Sequence, residues 1–287
     1  MKNKKFKFPK KVEKKYSTLL TKLLAPVKKE ALKYTDDIEK FQKVLENTTK
    51  SKTFKKNARK IVKTIATMLE VEDAKNWREA ARKSSRGKEI KEALEKEIEG
   101  NLKERMDELF EYNANLIETL PLEISKQVIN HINTKAIKGE RAEDIAKEIK
   151  VYFPKRTKAS AELIARTETS KYSSALTQAR AEDLDLWWYV WRTSEDGAVR
   201  SSHKFMDGVL VHYKHPAQPE KLDPKTKVKK VPLPYHAGNI YNCRCYQEPL
   251  TDYDDISFPH KVYNWKTGKV ETMTLAQFKK FDEESKK

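Results

Sequence analysis

Apolar residues in the first half of the chain recur at three- and four-residue intervals. Leu19, Leu20, Leu23, Leu24 and Val27 form one such run, and Ile61, Ile65 and Leu69 form another. That spacing places each set on one side of an α-helix. A third run, Leu102, Met106, Leu109, Phe110, Leu116 and Ile117, makes a stripe interrupted only by Asn113, with charged residues opposite. Such a stripe is the pattern of one arm of a helical hairpin or bundle. The helical pattern extends from about Val12 to Tyr152, and Pro26 and Pro121 divide it into several helices. The polar stretch 139–144 interrupts it, a short helix follows to Val151, and Pro154 predicts a boundary because it disfavours helical geometry at Phe153.

Beyond that point a helix is expected over about 159–185, with Ile164, Ala165, Tyr172, Ala175, Leu176 and Ala179 on its buried side. The period then changes. Residues 187–193 combine aromatic and β-branched side chains and end in the polar turn 194–197, which predicts a strand. Trp187, Trp188, Tyr189 and Trp191 put large side chains on both of its faces, so the strand should be interior and these rings part of the core. A short helix and the turn Asp207-Gly208 lead to a second strand at 209–211. The following loop, with Pro216, Pro219 and Pro224, reads as exposed and mobile. A hairpin is expected around 265–269 and a last helix from Thr274, where Thr274 and Gln277 match a capping box. The fold class is α+β: a helical N-terminal region followed by a smaller α+β domain with a short antiparallel sheet. Four segments are expected: a disordered arm at 1–15, a helical region at 16–153, an α+β domain at 154–250 and a hairpin-and-helix appendage at 251–287.

Composition adds a partner class. Of 287 residues 38% are hydrophobic and 36% charged, a balance that fits extended, solvated helices. Seven glycines, most of them after residue 196, agree with a helical front and a turn-rich back. The formal charge of +17 makes polyanions the expected partners, nucleic acid first and acidic protein surfaces second. Eight lysines stand among residues 2–15 against Glu13 alone and should repel one another into a solvated arm. Lys2, Lys4, Lys5, Lys7, Lys10 and Lys11 are therefore candidate DNA contacts, and Lys225, Lys227, Lys229 and Lys230 in the loop are a second set. No stretch approaches the roughly 18 apolar residues of a membrane span, and the amino terminus lacks the apolar core of a signal peptide.

Unusual chemistry is concentrated between residues 157 and 250. The expected helix there carries Arg166-Thr167-Glu168, the next segment carries Arg200-x-x-His203 with Gly208 five residues beyond the histidine, and the stretch closes on Asn242-Cys243-Arg244-Cys245. Parts in this order resemble the phage Mu F-like family of minor head, or head morphogenesis, proteins. The resemblance covers about the middle third of the chain. It implies a virion protein of the capsid interior, assembled in the host cytoplasm, with the portal protein, a scaffold or coat protein and double-stranded DNA as partners. It also implies that Arg166, Thr167 and Glu168 form an architectural clamp between their helix and the β part. Arg166 and Glu168 sit two positions apart, on nearly opposite helix faces, and the plainer reading pairs Arg166 with Glu162 one turn earlier.

Two cysteines do not make a disulfide scaffold, and a bond between Cys243 and Cys245 would close a very small, strained ring, so reduced thiols are expected. His203, His236, Cys243 and Cys245 are candidate ligands of one structural zinc, which would tie the Cys-x-Cys loop to the Arg-x-x-His helix. The other reading is a hydrogen-bonded cluster without metal. Two enzymatic readings also stand: Cys243 with His203 as nucleophile and base, and Arg166, Glu168 and His203 as an acid–base set acting on a phosphodiester. Neither is supported by an HExxH motif, a phosphate-binding glycine loop or a paired acidic metal motif. The remaining alternative is a purely protein-binding assembly adaptor whose lysines are incidental.

Overall fold

The structure, a computed structural model, describes residues 6–96, 101–137, 141–227 and 231–285. It is an α+β protein with a helical front and a smaller sheet-bearing part, as the hydrophobic pattern predicts. In chain order the elements are α1 (Lys10–Ala31), α2 (Ile38–Lys50), α3 (Lys52–Lys83), α4 (Gly87–Lys96), α5 (Asn101–Ile137), α6 (Ala142–Asp183), β1 (Trp188–Arg192) and α7 (Ser201–Met206), then β2 (Leu210–His212), α8 (Pro219–Leu222), β3 (Tyr246–Pro249), β4 (His260–Asn264), β5 (Lys269–Met273) and α9 (Leu275–Ser285). Two compact units are present. One comprises Lys10–Met68 and Asp107–Thr169, the other Met1–Pro9, Leu69–Met106 and Ser170–Lys287. The units interleave along the chain, so the division expected at residue 154 is not observed.

The first unit is helical. Asp37 caps α2 by accepting from the Lys40 backbone N–H at 3.0 Å. Phe41 meets Phe153 edge to face at 5.0 Å, and the Tyr16 hydroxyl donates to Asn113 at 3.3 Å. Arg59 grips Glu111 through both terminal nitrogens, at 2.8 and 2.9 Å, and donates through Nε to Glu118. Three helix breaks expected at prolines do not occur: Pro26, Pro121 and Pro154 all lie inside helices. An interior proline costs about 3 kcal/mol, but apolar side chains beside these prolines, Leu24, Leu120 and Phe153, are buried. Burying each such side chain recovers about 1.5–3 kcal/mol, enough to hold the helix through the lost backbone bond.

The expected disordered arm is also corrected. Helix α1 begins at Lys10, so the described part of 1–15 is largely ordered, and the apolar residues between the lysines are what order it. Phe6 is 1% exposed and meets Trp77 edge to face at 5.2 Å, within the second unit.

The second unit is built on a five-stranded sheet in the order β3-β1-β2-β4-β5. All pairings are antiparallel except β2 with β4, which run parallel through Leu210 and Val262. Strand β1 is interior, and its alternation splits two cores. Tyr189 and Trp191 face a cluster with Trp77, Ile90, Met206 and Val211, while Trp188 and Val190 face Leu210, Val262, Phe278 and Phe281. With both faces covered, the strand carries aromatic and aliphatic side chains from Trp188 to Trp191. Instead of docking as an appendage, the C-terminal hairpin extends the sheet by two strands. Helix α9 follows behind the expected capping box, with Gln277 accepting from the Thr274 backbone at 2.8 Å and Thr274 Oγ1 accepting in return at 3.4 Å.

The proline-rich loop after β2 differs from the exposed segment expected. Ala217, Tyr235 and Ala237 are buried in the core of the second unit, and Ala217 bridges Tyr235. Its polar side chains Glu220 and Asp223 are buried too, because they accept hydrogen bonds from hydroxyls around them.

Asp73 is a buried carboxylate of this unit. Its carboxylate accepts from Thr177 Oγ1 and from Arg180 Nη1, both at 2.6 Å, and Asp73 and Arg180 are buried. Asp73→Ala removes the carboxylate of this buried ion pair and is expected to lower unfolding free energy by about 3–5 kcal/mol. Urea denaturation of the two proteins checks this, and a loss below about 1 kcal/mol would contradict it.

Candidate functional site: a buried histidine and cysteine cluster

Three elements deliver the cluster. Arg200 precedes α7, and its guanidinium donates to the Tyr241 carbonyl at 2.7 Å, tying the start of that helix to the loop before β3. Gly208 ends the α7 turn at φ +81°, a left-handed conformation that favours glycine, and its N–H donates to the Trp191 carbonyl at 2.8 Å. Asn242 sits at φ +56° and turns the chain so that Cys243 and Cys245 both point inward. Gly238 is fixed more strictly: at φ +84°, a Cβ there would lie 2.8 Å from the Cys245 carbonyl oxygen.

His203 Nδ1 lies 3.5 Å from Cys243 Sγ and 3.3 Å from Cys245 Sγ. The Cys245 backbone N–H donates to Cys243 Sγ at 3.2 Å. On the other side of the ring, His203 Nε2 is 2.9 Å from the Tyr235 hydroxyl, which donates to Glu220 at 2.7 Å. Ser202 also donates to Glu220, at 3.3 Å. His203 is 2% exposed and each cysteine 3%. Hydrogen bonding from the Cys245 thiol holds the Cys243 thiol well below its ordinary range. Cys245 moves the opposite way, pushed up by Cys243 beside it and then by burial. Tyr235 is also pushed up, first by burial and then by its bond to Glu220, so it keeps its proton.

Helix α6 holds the same loop from behind. Ser174 Oγ donates to the Ala237 carbonyl at 2.9 Å, Gln247 donates to Ser174 at 2.6 Å, and Ser170 Oγ donates to the Cys245 carbonyl at 3.4 Å. These serines, together with Glu220 and Tyr235, were not singled out in the sequence. A signal existed for Ser170 and Ser174, two polar residues one helical turn apart among buried apolar ones, but their partners are 75 and 63 residues away.

The other sequence candidates separate. His236 is not in the group; its Nδ1 lies 3.2 Å from the Tyr189 hydroxyl. Arg166 pairs with Glu13 at 3.6 Å, and Glu162 lies 3.9 Å from Lys158. Thr167 and Glu168 are buried. Arg244 reaches Asp196 at 3.2 Å. Lys7, Lys10, Lys11, Lys225 and Lys227 are exposed, and Lys2, Lys4, Lys5, Lys229 and Lys230 lie outside the described residues. No helix among the described residues is long and apolar enough to cross a membrane.

A small, mostly antiparallel sheet whose Cys-x-Cys loop is fastened to an Arg-x-x-His helix defines an α+β class with a closed, polar internal cluster. Residues 126–248 match the family described as Phage Mu protein F like protein. The family points to phage head morphogenesis and to the virion. A Haemophilus influenzae protein described as an uncharacterized protein is 34% identical over 152 residues, which are 53% of this chain and 31% of the relative. The chain thus spans about a third of that relative's length. No solved structure matches.

Burial lowers the His236 pKa from 6.5 to about 4, and His212 moves in the same way to about 4. Both are neutral in the folded chain at pH values where the unfolded chain takes up a proton. Stability is therefore lost as pH falls from about 6.5 towards 4, by about 3 kcal/mol for each histidine at most. His236→Gln is expected to flatten the fall in unfolding free energy measured between pH 7 and 4; an unchanged slope would contradict the assignment.

Proposed function

We propose that this chain is a minor head component recruited through the portal protein during assembly, with scaffold or coat protein as a further contact, and retained with packaged double-stranded DNA. The observation that carries this reading is the direction of the motif side chains in the family region. His203, Cys243 and Cys245 turn inward onto a phenol and one another, while the exposed Arg200 is spent on the Tyr241 carbonyl. Both His203 ring nitrogens are engaged inside the protein, so the imidazole has no free face for a substrate. Residues that brace a module suit an assembly component better than a nuclease or a cysteine-dependent enzyme. The family supports the same reading.

The DNA contact is non-specific. A formal charge of +17 favours phosphate, and lysines are point charges that release counterions on binding without reading bases. Lys7, Lys10, Lys11, Lys225 and Lys227 supply exposed contacts, and Lys2, Lys4, Lys5, Lys229 and Lys230 add to the same two stretches of sequence. Fluorescence anisotropy with duplexes of unrelated sequence is expected to give equal affinities that drop by about 10³-fold or more between 50 and 200 mM salt, if at least six phosphates are contacted. Replacing Lys225, Lys227, Lys229 and Lys230 by glutamate should reduce the salt slope. Binding insensitive to salt, or a sharp sequence preference, would contradict the reading. Unchanged DNA retention in the charge-reversed variant would favour a protein-binding adaptor.

A further inference from the structure

The proton count around His203 decides what its inner nitrogen can do. Tyr235 has a single hydroxyl proton and gives it to Glu220, at 2.7 and 2.9 Å from the two carboxylate oxygens. Its oxygen is then an acceptor towards His203 Nε2 at 2.9 Å, which places a proton on Nε2. A neutral imidazole protonated there presents a bare lone pair at Nδ1. That lone pair faces two sulfur atoms, at 3.5 and 3.3 Å, and a hydrogen bond along its axis serves only one.

We propose that His203 Nδ1, Cys243 Sγ and Cys245 Sγ are three ligands of one bound zinc ion. Ordinary tetrahedral zinc bond lengths, about 2.3 Å to sulfur and about 2.0 Å to nitrogen, separate a nitrogen from a sulfur donor by about 3.5 Å. The two nitrogen–sulfur distances here have that size, and all three donor atoms lie within 4.8 Å of one another. Zinc takes both sulfurs as thiolates, any thiol proton going to solvent, which gives two thiolates and one divalent cation. The sum is zero charge, which a buried site tolerates. The surroundings match what such ligands need. Glu220 and Tyr235 fix the ring from its far side as a second-layer carboxylate does for a metal-bound histidine, and the Cys245 N–H donates to the Cys243 sulfur. His236 contributes no ligand, so the set is two sulfurs and one nitrogen.

The test uses the full tag-free chain from zinc-supplemented cells. Elemental analysis is expected to find about one zinc per chain, and Cys243→Ser or Cys245→Ser to abolish it. Should those variants fail to fold, cobalt substitution of the native chain replaces them: Co(II) added to the reduced, zinc-stripped protein should give a thiolate-to-cobalt charge-transfer band and the visible bands of a tetrahedral ion. Tyr235→Phe, which keeps all three ligands, is expected to bind zinc about 10–100-fold more weakly. A folded chain that holds no zinc and gives no such cobalt spectrum overturns the proposal and leaves a thiol–imidazole cluster. The outcome is independent of DNA or portal binding.

Discussion

A phenol has one proton, and in this fold that limit sets the chemistry of the only cysteine pair. Because Tyr235 donates to Glu220, it can only accept from His203, and a neutral histidine then turns an unprotonated nitrogen to Cys243 and Cys245. Five residues from α8, the loop beyond it, α7 and the turn before β3 are thereby bound in one directional chain. Each hydrogen bond contributes only about 1 kcal/mol net, but breaking one strands buried polar atoms at about 1–3 kcal/mol each. Such a network specifies one geometry and tolerates few others.

The rest of the second unit serves that geometry. Strand β1 lies in the sheet interior with a core on each side, so Trp191 forms an apolar wall 5.6 Å from the His203 ring centre. Ser170 and Ser174 fasten the loop carbonyls, and Gly238 admits the close approach of the Cys245 carbonyl that a side chain would block. A cluster built this way is closed on all sides by protein. That closure is why the polar residues of the family region are read as architecture, and why the positive charge, carried by exposed lysines elsewhere, is where a polyanion would meet the chain.

Much of this was legible along the chain. The two periods, near 3.6 and then 2, announce helices followed by strands, and the aromatic run of β1 announces an interior strand because both its faces are apolar. The Cys-x-Cys and Arg-x-x-His signals bring out His203, Cys243 and Cys245, which do converge. What escaped was non-local. Pro26, Pro121 and Pro154 look like helix ends to local rules, yet packing around Leu24, Leu120 and Phe153 carries the helices through them. Lysine repulsion makes the first residues look disordered, yet Phe6 finds Trp77 far along the chain. His236, next to Tyr235 in sequence, was the natural fourth member, but adjacent loop residues point different ways and Tyr189 claims it. Glu220 and Tyr235 carry no spacing signal at all, since their roles exist only after the loop has folded.

The central claim is that His203 carries its proton on Nε2 and offers a bare Nδ1 to both sulfurs. Long-range ¹H–¹⁵N correlation spectroscopy of the imidazole at neutral pH tests it most directly. The account predicts a single neutral state with Nε2 protonated and Nδ1 unprotonated, with or without a metal on Nδ1. A proton on Nδ1, whether in the other tautomer or in an imidazolium, would contradict it.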